Sequence, residues 1–204
     1  MLRSPSPRIV YGALAVAVVS VSFAAIFFRK TAPTHPLVAA GLRLAVAAAL
    51  LAPFVVRAAL RGRLSRRALW TGALAGLCYG VHFGAWVTSL FLTSIAASVT
   101  LVTTTPIMLG IVGYLTGRDS PGKRFWLSLG LALLGLLTIT GGDVGLRADA
   151  SAGNLLALLG AVAMASYLLA AKQLGDRTSV LVFSGLATLF GAAWLLGAAA
   201  VAGV

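Results

Sequence analysis

Residues 9–28 of the chain are IVYGALAVAVVSVSFAAIFF, an apolar run without a single charged side chain. A helix of about 20 apolar residues is long enough to cross the hydrocarbon of a bilayer. Arg3 and Arg8 precede the run, as basic residues precede the apolar core of a secretory signal peptide. The run is longer than such a core and further apolar runs follow it, so it predicts a retained first transmembrane helix.

Six more apolar runs of similar length follow, and short polar gaps separate them. The complete set occupies residues 9–28, 37–56, 68–90, 96–116, 125–141, 153–171 and 179–201. The chain is 60% hydrophobic and 10% charged, whereas soluble domains are about 45–50% apolar and about 25% charged. Because so few charges cannot cover a water-exposed surface, we predict an all-α membrane protein with about seven transmembrane helices and the lipid bilayer as its surroundings.

The net charge of +12 raises the question of nucleic-acid binding. The basic residues lie in the gaps between apolar runs, with no basic helix face and no basic patch interleaved with aromatic residues, so we expect no nucleic-acid partner. Alternate gaps belong to opposite sides of the membrane. One side has Arg3, Arg8, Arg57, Arg61, Arg63, Arg66, Arg67, Arg118, Lys123, Arg124, Lys172 and Arg177, and the other has Arg29, Lys30 and Arg147. Since Lys and Arg favour the cytoplasmic side, we predict a multi-pass protein of the inner (cytoplasmic) membrane with a cytoplasmic N-terminus.

A weak internal repeat relates residues 12–30 to residues 153–172. The two copies begin five helices apart, and because five is odd the second copy enters the membrane from the opposite face. This is the inverted-topology repeat of many secondary transporters. We therefore predict a first five-helix repeat at 1–141 and the first two helices of a second repeat at 153–204. Compared with the first copy, the second lacks three helices, as in a C-terminally truncated chain.

The third run carries a polar and aromatic stripe of Tyr79, His82, Trp86, Ser89 and Thr93. Spacings of three and four residues place these side chains on one helical face. Polar groups are costly in hydrocarbon, so the face should look into the bundle or a wet cavity. Two interpretations remain open: a lining for a substrate, or hydrogen bonds that join helices. Trp86 alone could also anchor the helix at the outer membrane surface.

The fourth run contains Thr103, Thr104 and Thr105 followed by Pro106. Pro106 has no N–H and its ring crowds the carbonyl of Val102, so the helix should bend there. A threonine hydroxyl, a water molecule or a substrate could bind the freed carbonyl. The break is either part of a transport path or a purely structural kink.

Arg43 lies about six residues inside the second run, roughly 9 Å deep at a rise of ~1.5 Å per residue. It is either a fixed positive charge that attracts an anion or an arginine that reaches the membrane surface or a structural partner. Tyr167 in the sixth run is either a cavity or a packing residue. We also expect Gly110, Gly113, Gly117, Gly130 and Gly135 to allow close helix packing.

Catalysis and metal binding find little support. The chain has one cysteine, Cys78, and two histidines, His35 and His82. These cannot form a disulfide within the chain or a cysteine-rich metal site. No carboxylates are paired on the predicted helices, and no serine or cysteine has a recognisable base. We therefore expect a protein that is not an enzyme and holds no metal.

Four short segments taken in order resemble the EamA-type transporters of the drug/metabolite transporter superfamily. These are PLVAAGLR at 36–43, HFGAWVTSLFLTSIAAS at 82–98 followed by Thr105 and Pro106, GGD at 141–143, and GNLLAL at 153–158. The resemblance implies ten helices in two inverted halves, alternating access, and no bound metal or organic cofactor. This chain departs from the pattern by ending after about seven predicted helices.

We therefore predict a secondary transporter, most simply an exporter, of a small metabolite, amino acid or drug. The residues expected to line its substrate site are Arg43, Tyr79, His82, Trp86, Thr104, Thr105 and Tyr167. The alternatives are a non-transporting component that needs a homo-oligomer or a missing C-terminal half, a lipid-carrier flippase of the same superfamily, and an intramembrane enzyme.

Overall fold

The computed structural model describes residues 6–117, 121–139, 150–174 and 178–204. Within these ranges the chain is helical, with turns and short connections and no strand. The helices are α1 (Pro7–Ser22), α2 (Ala24–Arg29), α3 (Pro36–Leu60), α4 (Arg66–Leu92), α5 (Ile95–Val102), α6 (Thr105–Thr116), α7 (Lys123–Ile139), α8 (Ser151–Leu174) and α9 (Val180–Val201).

Six helical segments among the described residues are long and apolar enough to cross a membrane. They are Arg8–Arg29, Pro36–Leu60, Arg66–Leu92, Ile95–Thr116, Ser151–Gln173 and Val180–Val201. The remaining predicted run gives α7, of which 17 residues are described, at the lower limit of the roughly 17–25 residues that span a bilayer. Its predicted end, residues 140–141, lies outside the described ranges. The prediction of an all-α membrane protein is confirmed.

The first span is not one continuous helix, as predicted, but α1 followed by α2. The interruption is at Phe23, where neither glycine nor proline occurs. Ser20 Oγ donates to the Val16 carbonyl at 2.8 Å and Ser22 Oγ donates to the Val18 carbonyl at 2.7 Å. Hydroxyls that bond carbonyls of the preceding turn bend helices, so these two serines give a physical reason for the break.

The centre of the bundle is α4, which packs against α3, α8 and α9. The α4 and α9 helices run in parallel, because Gly72 faces Leu186 while Gly84, three turns later, faces Leu195. The α8 helix runs the opposite way, since Gly153 near its start faces Thr93 at the end of α4, whereas Gly160, two turns later, faces His82. Spans that alternate across a membrane give these directions only if α7 crosses between α6 and α8, as the seven predicted runs require.

Most described basic residues gather at one end of this bundle. They are Arg57 in the last turn of α3, Arg61 and Arg63 just after α3, Arg66 and Arg67 at the start of α4, Lys123 and Arg124 at the start of α7, and Lys172 at the end of α8. Arg29 and Lys30, at the end of α2, lie at the other end. The described ranges do not include Arg3, Arg118, Arg147 or Arg177. They also leave out most of the predicted domain boundary at 141–153, of which only residues 150–153 are described.

Most of the glycines at which helices pack closely are not the ones that the sequence analysis predicted. Gly110 does meet the ring of Trp126, to which an added Cβ would be 2.9 Å distant. The predictions for Gly130 and Gly135 are wrong, because an added Cβ there would meet no described atom within 4 Å. The tight crossing is between α4 and α9, where Gly76 lies against Gly191. The predicted glycines of α7 lie on a helix with little packing.

We expect Gly76→Ala to destabilise the fold. A Cβ at this position would lie 2.5 Å from Phe190 Cβ and 3.0 Å from backbone atoms of Ala187 and Gly191, and overpacking of this kind costs about 1–3 kcal/mol. Gly197→Ala is the matched control, because open space surrounds Gly197 in the same bundle. Thermal unfolding in detergent should show a lower Tm for Gly76→Ala only, and equal Tm values would contradict the crossing.

Candidate functional site

The polar and aromatic face predicted on α4 is turned into the bundle. Tyr79 is the middle residue of α4 (Arg66–Leu92), so His82 lies about 5 Å from the helix midpoint at ~1.5 Å per residue. His82, Trp86, Ser89 and Thr93 are all buried, and Tyr79 is partly buried. The least hydrophobic of the six candidate spans is therefore also the most buried one.

Five aromatic rings form a continuous stack across α4, α8 and α9. Trp86 stacks on His82 with centroids 6.0 Å apart, and His82 on Tyr79 at 6.3 Å. Tyr79 then stacks on Tyr167 of α8 at 4.5 Å, and Tyr167 on Phe183 of α9 at 5.7 Å. Four residues predicted to line the site thus meet in one place, although they come from two separate helices.

His82 also holds α4 to α8 by a hydrogen bond. Its Nδ1 lies 2.8 Å from the Gly160 carbonyl oxygen. Because a carbonyl oxygen only accepts, Nδ1 carries the proton and donates it. The backbone at Gly160 packs closely here, since an added Cβ would lie in van der Waals contact at 3.4 Å from the His82 carbonyl oxygen and 3.5 Å from Trp86.

Arg43 of α3 joins the same cluster through rings that the sequence analysis missed. Its Cζ atom lies 4.1 Å from the ring centroid of Phe83 and 5.8 Å from that of Phe28. Phe28 meets Trp86 edge to face, with centroids 5.8 Å apart. The spacing of Phe83, four residues after Tyr79 and three before Trp86, could have identified it. Nothing in the sequence ties Phe28 of α2 to this place.

Next to Arg43 the structure has a cavity of about 440 Å³ between the first span and α3. Its lining consists of Ser20, Val21, Ala24, Phe27, Phe28, Thr31, Ala39 and Arg43. The Arg43 side chain is exposed to this space, while the rings of Phe28 and Phe83 are buried behind it. The cluster is therefore reachable from the cavity on its Arg43 side.

The hydroxyls of Thr104 and Thr105 bond to backbone carbonyls at the break between α5 and α6. Thr104 Oγ1 donates to the Leu101 carbonyl at 2.7 Å, and Thr105 Oγ1 donates at 2.9 Å to the Val102 carbonyl that Pro106 leaves free. The predicted break and its threonine cap are confirmed. Thr105 also lies 3.4 Å from the Ala161 carbonyl, one residue beyond the partner of His82, whereas Thr104 has no contact of this kind among the described hydrogen bonds.

The outer part of the α4 face joins helices. Ser89 Oγ donates to the Trp86 carbonyl at 2.6 Å and lies 2.6 Å from Ser98 Oγ of α5, which makes Ser98 the donor of that pair. Thr93 Oγ1 donates to Asn154 Oδ1 of α8 at 2.9 Å, and Arg29 Nη1 donates to the Thr93 carbonyl at 3.3 Å. These two residues fit the helix-joining interpretation.

Trp86 is buried against the bundle, so it is not an anchor at the membrane surface. Only 8% of its side chain is exposed, and rings of Phe28, His82 and Phe83 surround it. Its Nε1–H has no hydrogen-bond acceptor within the described part of the chain. An indole N–H left without an acceptor in a dry interior is unfavourable.

A comparison with protein families matches residues 8–141 to the EamA-like transporter family. No curated protein matches the chain. No solved structure matches it either.

We expect His82→Phe to destabilise the bundle while preserving the ring stack. The substitution removes the donor to Gly160, and hydrogen bonds between membrane helices contribute about 0.6–1.7 kcal/mol. Ser166→Ala is the control, because Ser166 Oγ donates only to the Val162 carbonyl of its own helix. Unfolding in detergent should distinguish the two variants, and an unchanged free energy of unfolding for His82→Phe would mean that the contact to α8 contributes nothing.

Proposed function

The chain belongs to the EamA-like transporter family, and from that membership we propose that it is a secondary transporter, most simply an exporter, of a small metabolite, amino acid or drug. The family is part of the drug/metabolite transporter superfamily and consists of transporters, not enzymes. The chain is accordingly a multi-pass membrane protein. We propose alternating access as its mechanism.

The observation that carries this proposal is the buried polar and aromatic cluster at the middle of α4. A span that served only as a membrane anchor would turn apolar side chains outward and need no such interior. Here Tyr79 and His82 lie near the helix midpoint, Tyr79 stacks on Tyr167 of α8, and Arg43 of α3 joins the cluster through Phe83. Substrate sites of secondary transporters lie near the midplane, between elements that move.

We propose that the helices around this cluster rock against one another. The cluster contacts α3 on one side and α8 and α9 on the other, so relative movement of these helices would open it to one membrane face at a time. In the conformation described here, Arg29, Thr93 and Asn154 link α2, α4 and α8 at the end of the bundle away from most basic residues. These contacts would separate when the site opens at that end.

The distribution of basic residues supports an orientation. The end of the bundle that holds Arg57, Arg61, Arg63, Arg66 and Arg67 is the proposed cytoplasmic end. The N-terminus then lies in the cytoplasm, and the inner membrane is the proposed location.

Replacing one tryptophan tests the site. Cells that carry the gene should change the level of at least one metabolite in the medium, measured by mass spectrometry against cells without it. Trp86→Ala should reduce that change by about tenfold, the effect of about 1.4 kcal/mol of lost binding. Trp70→Ala on the same helix should not, because Trp70 is 72% exposed. Equal loss in both variants would remove the site proposal, and no change with the wild type would favour a non-transporting component.

Chemical labelling tests the orientation. Cys78 is the only cysteine, so Cys78→Ala gives a background without thiols. In that background Lys30→Cys should react with a membrane-impermeant maleimide in intact cells, and Arg63→Cys should react only after the membrane is opened. The reverse pattern would show that the N-terminus is outside.

A further inference from the structure

We propose that Arg43 and the rings around it form an anion-binding subsite for an organic acid with an aromatic or other apolar body. The binding claim concerns this chain alone; that the bound acid is also the transported substrate rests on the proposed function. The proposal excludes organic cations, which many drug exporters carry, as ligands of this subsite.

The first argument is the balance of charge. The chain has only four acidic residues, Asp119, Asp143, Asp149 and Asp176. All four lie in gaps between the predicted spans, outside the described ranges, so the described helices contain no carboxylate. Arg43 is seven residues inside α3, about 10 Å from its start at ~1.5 Å per residue. A cation held at this depth without a nearby counter-charge is costly in hydrocarbon, and a bound anion would supply that counter-charge.

The second argument is the geometry of the guanidinium group. Phe83 covers one side of it, with 4.1 Å between Cζ and the ring centroid, which is the arrangement of a cation–π contact. That contact fixes the position of the group but uses none of its five N–H donors. Within the described part of the chain these donors have no hydrogen-bond or ion-pair partner. Guanidinium donors pair best with carboxylate or phosphate oxygens, two at a time.

The shape of the cavity defines the rest of the ligand. Its volume of about 440 Å³ falls within the ~300–1,000 Å³ that is usual for small-molecule sites. Apart from Arg43, its polar lining residues are Ser20 and Thr31, whose hydroxyls already donate to the backbone carbonyls of Val16 and Phe28. Apolar side chains make up the remaining walls. The carboxylate of such a ligand would bind Arg43, and the aromatic or alkyl body joined to it would fill the apolar part of the cavity.

The test compares ligands that share a body and differ in charge. Phenylacetate, 2-phenylethanol and phenethylamine form one series, and octanoate, octanol and octylamine form the second. Calorimetry on the full chain in detergent should show that an anion binds more tightly than its neutral and cationic relatives. Arg43→Gln should weaken anion binding by at least about tenfold, and Arg43→Lys should restore part of it.

Controls keep the result interpretable. Arg61→Gln should leave binding unchanged, because Arg61 lies beyond the end of α3 with the other basic residues. A melting curve for each variant shows whether it is folded, and Arg43→Lys keeps the charge if Arg43→Gln unfolds. The proposal is overturned if no anion of either series binds, if a cation binds more tightly, or if Arg43→Gln and Arg43→Lys both bind the anion as the wild type does.

A second arm identifies the source of the anion. In nanodiscs of phosphatidylcholine, added phosphatidylglycerol should not displace the bound acid if the ligand is a free metabolite. Displacement that requires Arg43 would also support the subsite and would assign it to an anionic lipid headgroup. Because binding needs no transport, an anion bound at Arg43 without export would contradict only the proposed function. Export of a cation that survives Arg43→Gln would contradict only the anion subsite.

Discussion

A bilayer provides neither hydrogen-bond partners nor counter-charges, so most of the buried polar side chains described in this bundle bond to other parts of the chain. His82 donates to a backbone carbonyl of α8, Ser89 and Ser98 bond each other, and Thr105 caps the carbonyl that Pro106 leaves free. In water each of these groups could be hydrated at little cost, whereas in hydrocarbon an unmade hydrogen bond costs several kcal/mol. The least hydrophobic span is therefore the one that the others surround.

Small residues make this arrangement possible. Gly76 and Gly191 let α4 and α9 approach until their backbones nearly touch, and Gly153 lets the start of α8 pack against Thr93 at the end of α4. With α4 held closely on two sides, the rings of three helices can stack without a gap. Arg43, Trp86 Nε1 and Thr100 Oγ1 are exceptions, because no described residue satisfies them. Such exceptions in an otherwise satisfied interior are expected where a ligand binds.

The sequence predicted local features well and contacts between distant residues poorly. The apolar runs, the break at Pro106 and the shared face of Tyr79, His82 and Trp86 each depend on residues within one helix. The break at Phe23 was missed because serine hydroxyls, not glycine or proline, cause it. Phe28 was missed because its place beside Trp86 depends on how α2 packs on α4. Gly130 and Gly135 were misjudged because composition does not show which helix face has a neighbour.

The sequence by itself determined that this is a multi-pass helical membrane protein of the EamA-like family, because length, apolarity and short motifs are properties of the chain taken in order. It also determined which side of α4 is polar, because helical periodicity is local. Only the tertiary structure decided that Arg43, Tyr79, His82, Trp86 and Tyr167 meet while Thr104 is used at a helix break. Lipid tails are as apolar as the helix surfaces, so hydrophobicity does not select which helices pair. Their pairing depends on close packing between residues far apart in the sequence.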